Sequence, residues 1–243
     1  MTNAFVMLDP MPTTSPAPRS RRERPAKPAL TYEGIVATSV RLMEAEGLQR
    51  VTMRRLAQEL DTGPASLYVY VANTAELHAA ILEVLLGAVE LAPASATAGA
   101  DWRDRLATVL NSYTQVLFEH PSLAQSALVA RPSGPNYLAL VEALLALLHE
   151  GEVPDAQAAW GVDVLLQVAT ATAAEQSTRD RSDTEAENRA LVRALREVSA
   201  DTHPRIAALG PQLLSGPPEA RLAWVFRAVT NGAKVTPTPS DPA

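Results

Sequence analysis

The stretch Val51-Thr52-Met53-Arg54-Arg55-Leu56-Ala57-Gln58-Glu59-Leu60-Asp61-Thr62-Gly63-Pro64-Ala65-Ser66-Leu67-Tyr68-Val69-Tyr70 decides the fold. Met53, Leu56, Ala57 and Leu60 form the inward stripe of one short helix, and Thr52 stands where an N-cap belongs. Arg55 in place of Glu or Gln means that no capping box forms. Asp61 tolerates a turn conformation, and Gly63 before Pro64 suits a cap followed by a first helical position. Leu67 and Val71, four apart, anchor a second helix and leave Ala65, Ser66, Tyr68 and Tyr70 facing elsewhere. Two short helices joined by a tight turn, the second too polar-faced for ordinary core, are the pattern of a helix-turn-helix, whose second helix enters the DNA major groove.

Upstream, Ile35, Leu42 and Met43 recur at helical spacing around small Ser39, with Gly47 as a C-terminal stop. Before them, residues 1–29 hold six prolines and few apolar residues after Leu8, a composition that cannot offset its ordering entropy and predicts a disordered arm. Downstream, a helix is expected from near Thr74 to about Leu91, broken by Pro93 and the small residues to Gly99. Further helices are expected over 102–120, 121–130, 136–150 and 154–174, the last apolar on most of its circumference. Residues 177–188 are charged and polar and predict a mobile loop. Helices follow over 190–199, 203–214 and 219–233, and the Pro-rich end after Val235 predicts disorder. The chain is therefore expected to be all-α, with an arm (1–29), a three-helix DNA-binding head (30–77), a helical ligand-binding and dimerisation body (78–234) and a disordered tail (235–243).

Composition narrows the function classes. Apolar residues make up 47% of the 243, enough for a substantial core, and the absence of cysteine excludes disulfides, thiolate metal sites and cysteine nucleophiles. No apolar run approaches the roughly 20 residues that span a bilayer, and the first residues lack a signal-peptide pattern, which points to the cytoplasm. The net charge of −6 is unevenly distributed: residues 1–29 carry five basic and two acidic groups, and residues 30–77 four basic and six acidic. The head is thus no basic patch, and the acidic excess sits mainly in the body. The four histidines (His78, His120, His149, His203) are scattered with no metal-ligand spacing, so neither enzyme activity, metal nor cofactor is expected.

These residues carry a resemblance. Thr52 to Leu60, Leu67-Tyr68-Val69-Tyr70-Val71, Asn73 and Leu77 resemble the helix-turn-helix pattern of the TetR family of bacterial transcriptional regulators. The end of helix one departs slightly: Ala45 stands where the family has glutamate, and Glu46 directly precedes Gly47. More faintly, Trp102-Arg103-Asp104, His120, Arg131-Pro132, Tyr137 and the ending Trp224-Val225-Phe226 to Asn231-Gly232 resemble the tetracycline-repressor branch. The resemblance implies an all-α homodimer in which helix four joins the head to a ligand-binding body and two late helices form a dimer bundle.

By that resemblance Pro64, Ala65, Ser66, Tyr68 and Tyr70 meet DNA, Arg54 reaches in from helix two, and Thr52 and Thr74 complete the set. Arg54 can make bidentate contacts to guanine and Ala65 can touch a thymine methyl, whereas Ser66 and the tyrosine hydroxyls suit phosphates. Thr74 replaces the lysine that the family often places there, so one phosphate-binding cation is missing. Arg19, Arg21, Arg22, Arg24 and Lys27 of the arm can supply nonspecific phosphate contacts or, as a flexible arm, enter a minor groove. Tyr113, His120, Asn136, Tyr137 and Gln176 are the candidate polar groups of an apolar effector cavity; for His120, a helix end satisfied by the last carbonyls is an equal reading. Ala127 and the region of Glu90 replace the two drug-site histidines of the tetracycline branch, which argues against tetracycline itself. Trp160, Val164, Leu222, Val225, Phe226 and Val229 are either core or, on two late apolar helices, a surface paired across a two-fold axis. The function expected is a ligand-responsive repressor that binds a palindromic operator as a homodimer and is released by a small organic effector. The alternatives are an activator of the same fold, or a helical small-molecule-binding protein without a DNA function.

Overall fold

The structure, a computed structural model, describes residues 29–95, 101–129, 132–179 and 184–239. The predicted arm, with Arg19, Arg21, Arg22, Arg24 and Lys27, lies outside the described residues, as do Arg131 and the last four residues of the tail. Among the described residues there are twelve α-helices and no strand: α1 Tyr32–Glu46, α2 Met53–Glu59, α3 Pro64–Leu67, α4 Thr74–Leu85, α5 Ala92–Ser95, α6 Trp102–Glu119, α7 Pro121–Ala127, α8 Pro135–Glu150, α9 Asp155–Arg179, α10 Thr184–Arg196, α11 Pro204–Leu213 and α12 Pro218–Val235. None of the helices is long and apolar enough to cross a membrane among these residues.

Helix α1 starts at Thr31, whose Oγ1 accepts from the Gly34 amide at 3.0 Å, and stops at Gly47, which takes a φ of 86°. Its inward face, Ile35, Val36, Leu42 and Met43, is buried, as are Leu56, Leu67, Leu77 and Ile81, with α1 packed on α2 and α4. Thr52 caps α2 as its position implies, accepting from the Arg55 amide at 3.2 Å. The turn after α2 is a Schellman closure: the Thr62 amide reaches the Ala57 carbonyl (2.8 Å) and the Asp61 amide the Gln58 carbonyl (3.1 Å). Asp61 holds the left-handed position at φ 47°, where aspartate is tolerated better than most residues.

Two expectations from sequence are corrected here. Helix α4 ends at Leu85, not near Leu91, because a 3₁₀ turn over Leu86–Ala88 tightens the chain before Val89 turns extended. Pro93 then sits in the first turn of α5, where a proline costs nothing. The described residues of the 177–188 stretch are helical, since α9 continues to Arg179 and α10 begins at Thr184, while residues 180–183 of the expected loop lie outside the described residues. Charge alone misleads there, since an exposed helix accommodates a polar face as readily as a loop does.

The body is layered on α9, which packs against α6, α7, α8 and α12. Arg227 of α12 pairs with Asp104 of α6 (2.6 Å), and Arg103 donates to Asn231 at 3.0 Å. Gly151 does not supply the left-handed turn that ends α8; Glu152 does, at φ 55°. The glycine is needed because a Cβ there would collide with the Trp102 ring.

Candidate DNA-reading surface and effector cavity

Burial of Leu67 and Val71 fixes what α3 and its following turn present. With those two inside, Pro64, Ala65, Ser66, Tyr68 and Tyr70 are all exposed, and Thr52, Arg54 and Thr74 are exposed beside them. All eight described DNA candidates therefore lie on the outside of the head. Val69 joins them at 81% exposure, a residue missed from the sequence. The signal was available, since Val69 sits midway between two buried anchors and so must point away from both.

The two adjacent arginines of α2 have separate roles. Arg55 binds Glu46 of α1 (2.6 Å) and Glu59 (2.9 Å), clamping α2 to the end of α1. These bonds hold the Glu46 carboxyl below the usual range and raise Arg55 further. Glu46, the slight departure at the end of helix one, is thus a structural partner. Arg54 has no partner among the described residues and remains available.

At the start of α4, Asn73 accepts from the Glu76 amide (2.9 Å) while Glu76 accepts from the Ala72 amide (2.6 Å). This reciprocal cap leaves the Thr74 and Ala75 amides pointing outward from the helix end, a geometry suited to phosphate.

Between head and body, His78 of α4 is hydrogen-bonded to Ser126 of α7 at 2.9 Å, and burial pushes its pKa below the ordinary 6.5. His120 is half-buried where Pro121 and Leu123 meet Met43, Gly47 and Leu48. It belongs to the head–body junction rather than to the cavity.

The cavity itself lies among α4, α6, α7, α8 and α9. Leu82, Tyr113, Ala127, Leu128, Pro132, Tyr137, Asp163, Leu166, Gln167 and Thr170 line it, and its volume is about 60 Å³. Of the five residues expected there, Tyr113 and Tyr137 are present. Tyr113 is buried and hydrogen-bonds Thr170 at 2.7 Å. Asn136 is instead committed to Glu83 of α4 (2.8 Å to its carbonyl), and Gln176 is exposed further along α9. Asp163, Gln167 and Thr170 were missed because the sequence of α9 is apolar on most of its circumference, while its 163, 167 and 170 positions share the cavity-facing side. Ala127 lines the cavity where the tetracycline branch would place a histidine, and Glu90 caps the start of α5, accepting from the Ala92 amide at 2.8 Å. Among the described residues no group of three or more His, Asp or Glu could hold a metal ion.

The late helices separate into inner and outer faces. Phe226 is 1% exposed, so of the two expected readings core holds for it and the interface assignment is corrected; its place on a late apolar helix suggested pairing, but the α6 and α9 contacts of α12 enclose it. Leu222, Val225 and Val229 are half-buried, and Val164 is exposed. Trp160 (57% exposed) and Trp224 (70%), the latter missed from sequence, stand out of α9 and α12.

Residues 35–81 match the family described as bacterial regulatory proteins, tetR family, and residues 94–216 match the tetracyclin repressor-like C-terminal domain. The transcription regulator SCO7704 of Streptomyces coelicolor is 60% identical, with 89% of this chain and all of that one covered at a TM-score of 0.75. ActR of the same species, in complex with actinorhodin, is 32% identical over 85% of this chain and 96% of its own, with a TM-score of 0.72. The repressor DrrR1 of Streptomyces coeruleorubidus is 34% identical over 53% of this chain and 47% of its own. The match spans about half the length of the curated relatives.

Proposed function

Since the chain belongs to the TetR family of bacterial regulatory proteins, we propose that it is a ligand-responsive transcriptional repressor, acting in the cytoplasm as a homodimer on a palindromic operator. The observation that carries this reading is the exposed face of Pro64, Ala65, Ser66, Tyr68, Val69 and Tyr70 on two buried anchors, with an unpaired Arg54 beside it. Arg54 reads a base edge, while the hydroxyls and the Thr74 helix end fix register on phosphates. The functional division falls at 30–77 for the head and 78–234 for the body, with the arm (Arg19, Arg21, Arg22, Arg24, Lys27) adding phosphate contacts.

Trp160, Val164 and Trp224 form the centre of the two-fold contact, flanked by Leu222, Val225 and Val229. A dimer is required to place two reading helices about one DNA turn apart. Repression is favoured over activation by the relative named a repressor. The effector is a small organic molecule, in line with the complex of ActR with actinorhodin, held between Tyr113, Tyr137, Gln167 and Thr170. A drug-sized ligand needs about 300 Å³ or more, so the 60 Å³ cavity must widen to admit one. An effector releases DNA only by binding the widened state more tightly than the narrow one.

The test titrates aromatic polyketides, actinorhodin among them, against the protein–operator complex. A compound that binds and lowers operator affinity supports the mechanism. One that fills the cavity and leaves operator affinity unchanged contradicts it.

A further inference from the structure

The walls of the narrow cavity include Leu82 of α4 and Tyr137 of α8, and their sequence neighbours tie the same two helices together. The Glu83 carboxylate sits on the N-terminus of α8, accepting from the Asn136 amide (2.6 Å) and the Tyr137 amide (3.2 Å). The Asn136 side chain returns the contact, donating to the Glu83 carbonyl at 2.8 Å. That carbonyl is one of the last four of α4, which have no acceptor role within the helix. Gly134 makes the seat possible, because a Cβ there would occupy the position of the Glu83 carboxylate.

Charge, dipole and hydrogen bonds act together in this contact. A carboxylate on a helix N-terminus gains from the macrodipole and from charge-assisted bonds roughly twice as strong as neutral ones. A ligand that parts Leu82 from Tyr137 works against the Glu83–Asn136 contact beside them. Ten residues toward the N-terminus, about 15 Å along the axis, α4 begins at the DNA-facing cap of Asn73.

We infer that Glu83 is the positioning residue of the effector response: its seat on α8 keeps the cavity narrow and α4 in the operator-binding orientation, and a ligand that wedges Leu82 from Tyr137 must unseat it. This rests on the proposed function for its DNA half; the narrow-cavity half stands independently. The contact joins the cavity wall to the helix whose other end faces DNA, beside the packing of α4 on α7.

Two variants of the full-length protein break the seat by different means. Glu83→Gln removes the charge, and Gly134→Ala keeps the charge but displaces the carboxylate, which ends a flexible side chain. Glu142→Gln, exposed on the same helix, is the control. Three quantities are read: hydrogen exchange at the Asn136 and Tyr137 amides, affinity for an operator selected from random DNA, and affinity for 1-anilinonaphthalene-8-sulfonate as the cavity probe. Both variants should exchange those amides faster, bind operator about tenfold more weakly and bind the dye about tenfold more tightly, the loss of about one charge-assisted bond. A merely structural contact would lower both affinities together, and an irrelevant one would change neither; either result overturns the inference. If the wild-type protein binds no DNA, the functional reading fails, and the dye and exchange results still decide whether Glu83 keeps the cavity narrow.

Discussion

Replacing Trp224 by alanine should split the dimer while leaving the subunit folded, and Phe226→Ala should do the reverse. Trp224 is 70% exposed and Phe226 1%, although they lie two residues apart on α12. A tryptophan side chain offers up to about 250 Å²; the open share of Trp224 is ~170 Å², which at about 25 cal/mol/Å² gives ~4 kcal/mol per protomer on full burial. Two such side chains give up to ~8 kcal/mol per dimer; side-chain ordering and incomplete burial offset more than half of that, so about 3 kcal/mol per dimer is expected, roughly a hundredfold in the dimer dissociation constant. Phe226→Ala instead opens a core cavity and costs about 3–5 kcal/mol of fold stability. Sedimentation equilibrium over a dilution series reads the first effect, and urea denaturation the second. A Trp224→Ala dimer as tight as wild type would refute the two-fold assignment of the α9–α12 face.

Arg54→Ala should weaken operator binding tenfold to a hundredfold and relax specificity at one base pair, without altering thermal stability, since no described residue pairs with its side chain; fluorescence anisotropy against single-base operator variants reads both. Arg55→Ala should lower thermal stability and loosen the head first, because it removes the clamp to Glu46 and Glu59. His78 is held neutral by burial, with its pKa below 6.5, so its folded form binds a proton less readily than the unfolded one. Stability is therefore complete above about pH 6.5 and falls as pH drops through that value. His78→Gln should remove that part of the acid sensitivity, measured by melting at about pH 7.5 and about pH 5. Glu152→Gly should raise stability by about 1 kcal/mol, relieving a left-handed glutamate, while Gly151→Ala should cost about 1–3 kcal/mol by driving a methyl into Trp102; differential scanning calorimetry separates the two signs.

The head was legible in sequence because its signals are local. Thr52, Asp61, Gly63, Leu67 and Val71 each act within a few residues of themselves, so spacing alone determines cap, turn and buried anchor. The cavity was less legible because its walls come from five helices. Tyr113 and Tyr137 announced themselves as aromatic groups on apolar helices, but Asp163, Gln167 and Thr170 could be placed only once α9 had a direction. Asn136 was assigned to the ligand as one of the few polar groups among otherwise apolar body helices. Its partner, Glu83, lies 53 residues earlier, and no local pattern links the two. Phe226 and Trp224 were told apart only by the packing of α12 on α6 and α9. The charge-rich 177–188 stretch was read as a loop because helix propensity on an exposed face leaves little apolar periodicity.

The central claim is that this molecule reads DNA as a two-fold dimer, and selection of bound duplexes from a randomised pool tests it most directly. The account predicts enrichment of an inverted repeat with half-sites about one helical turn apart, relaxed at one base pair of each half-site when Arg54 is replaced by alanine. Enrichment of no sequence, or of a single asymmetric site that survives Arg54→Ala, would contradict it.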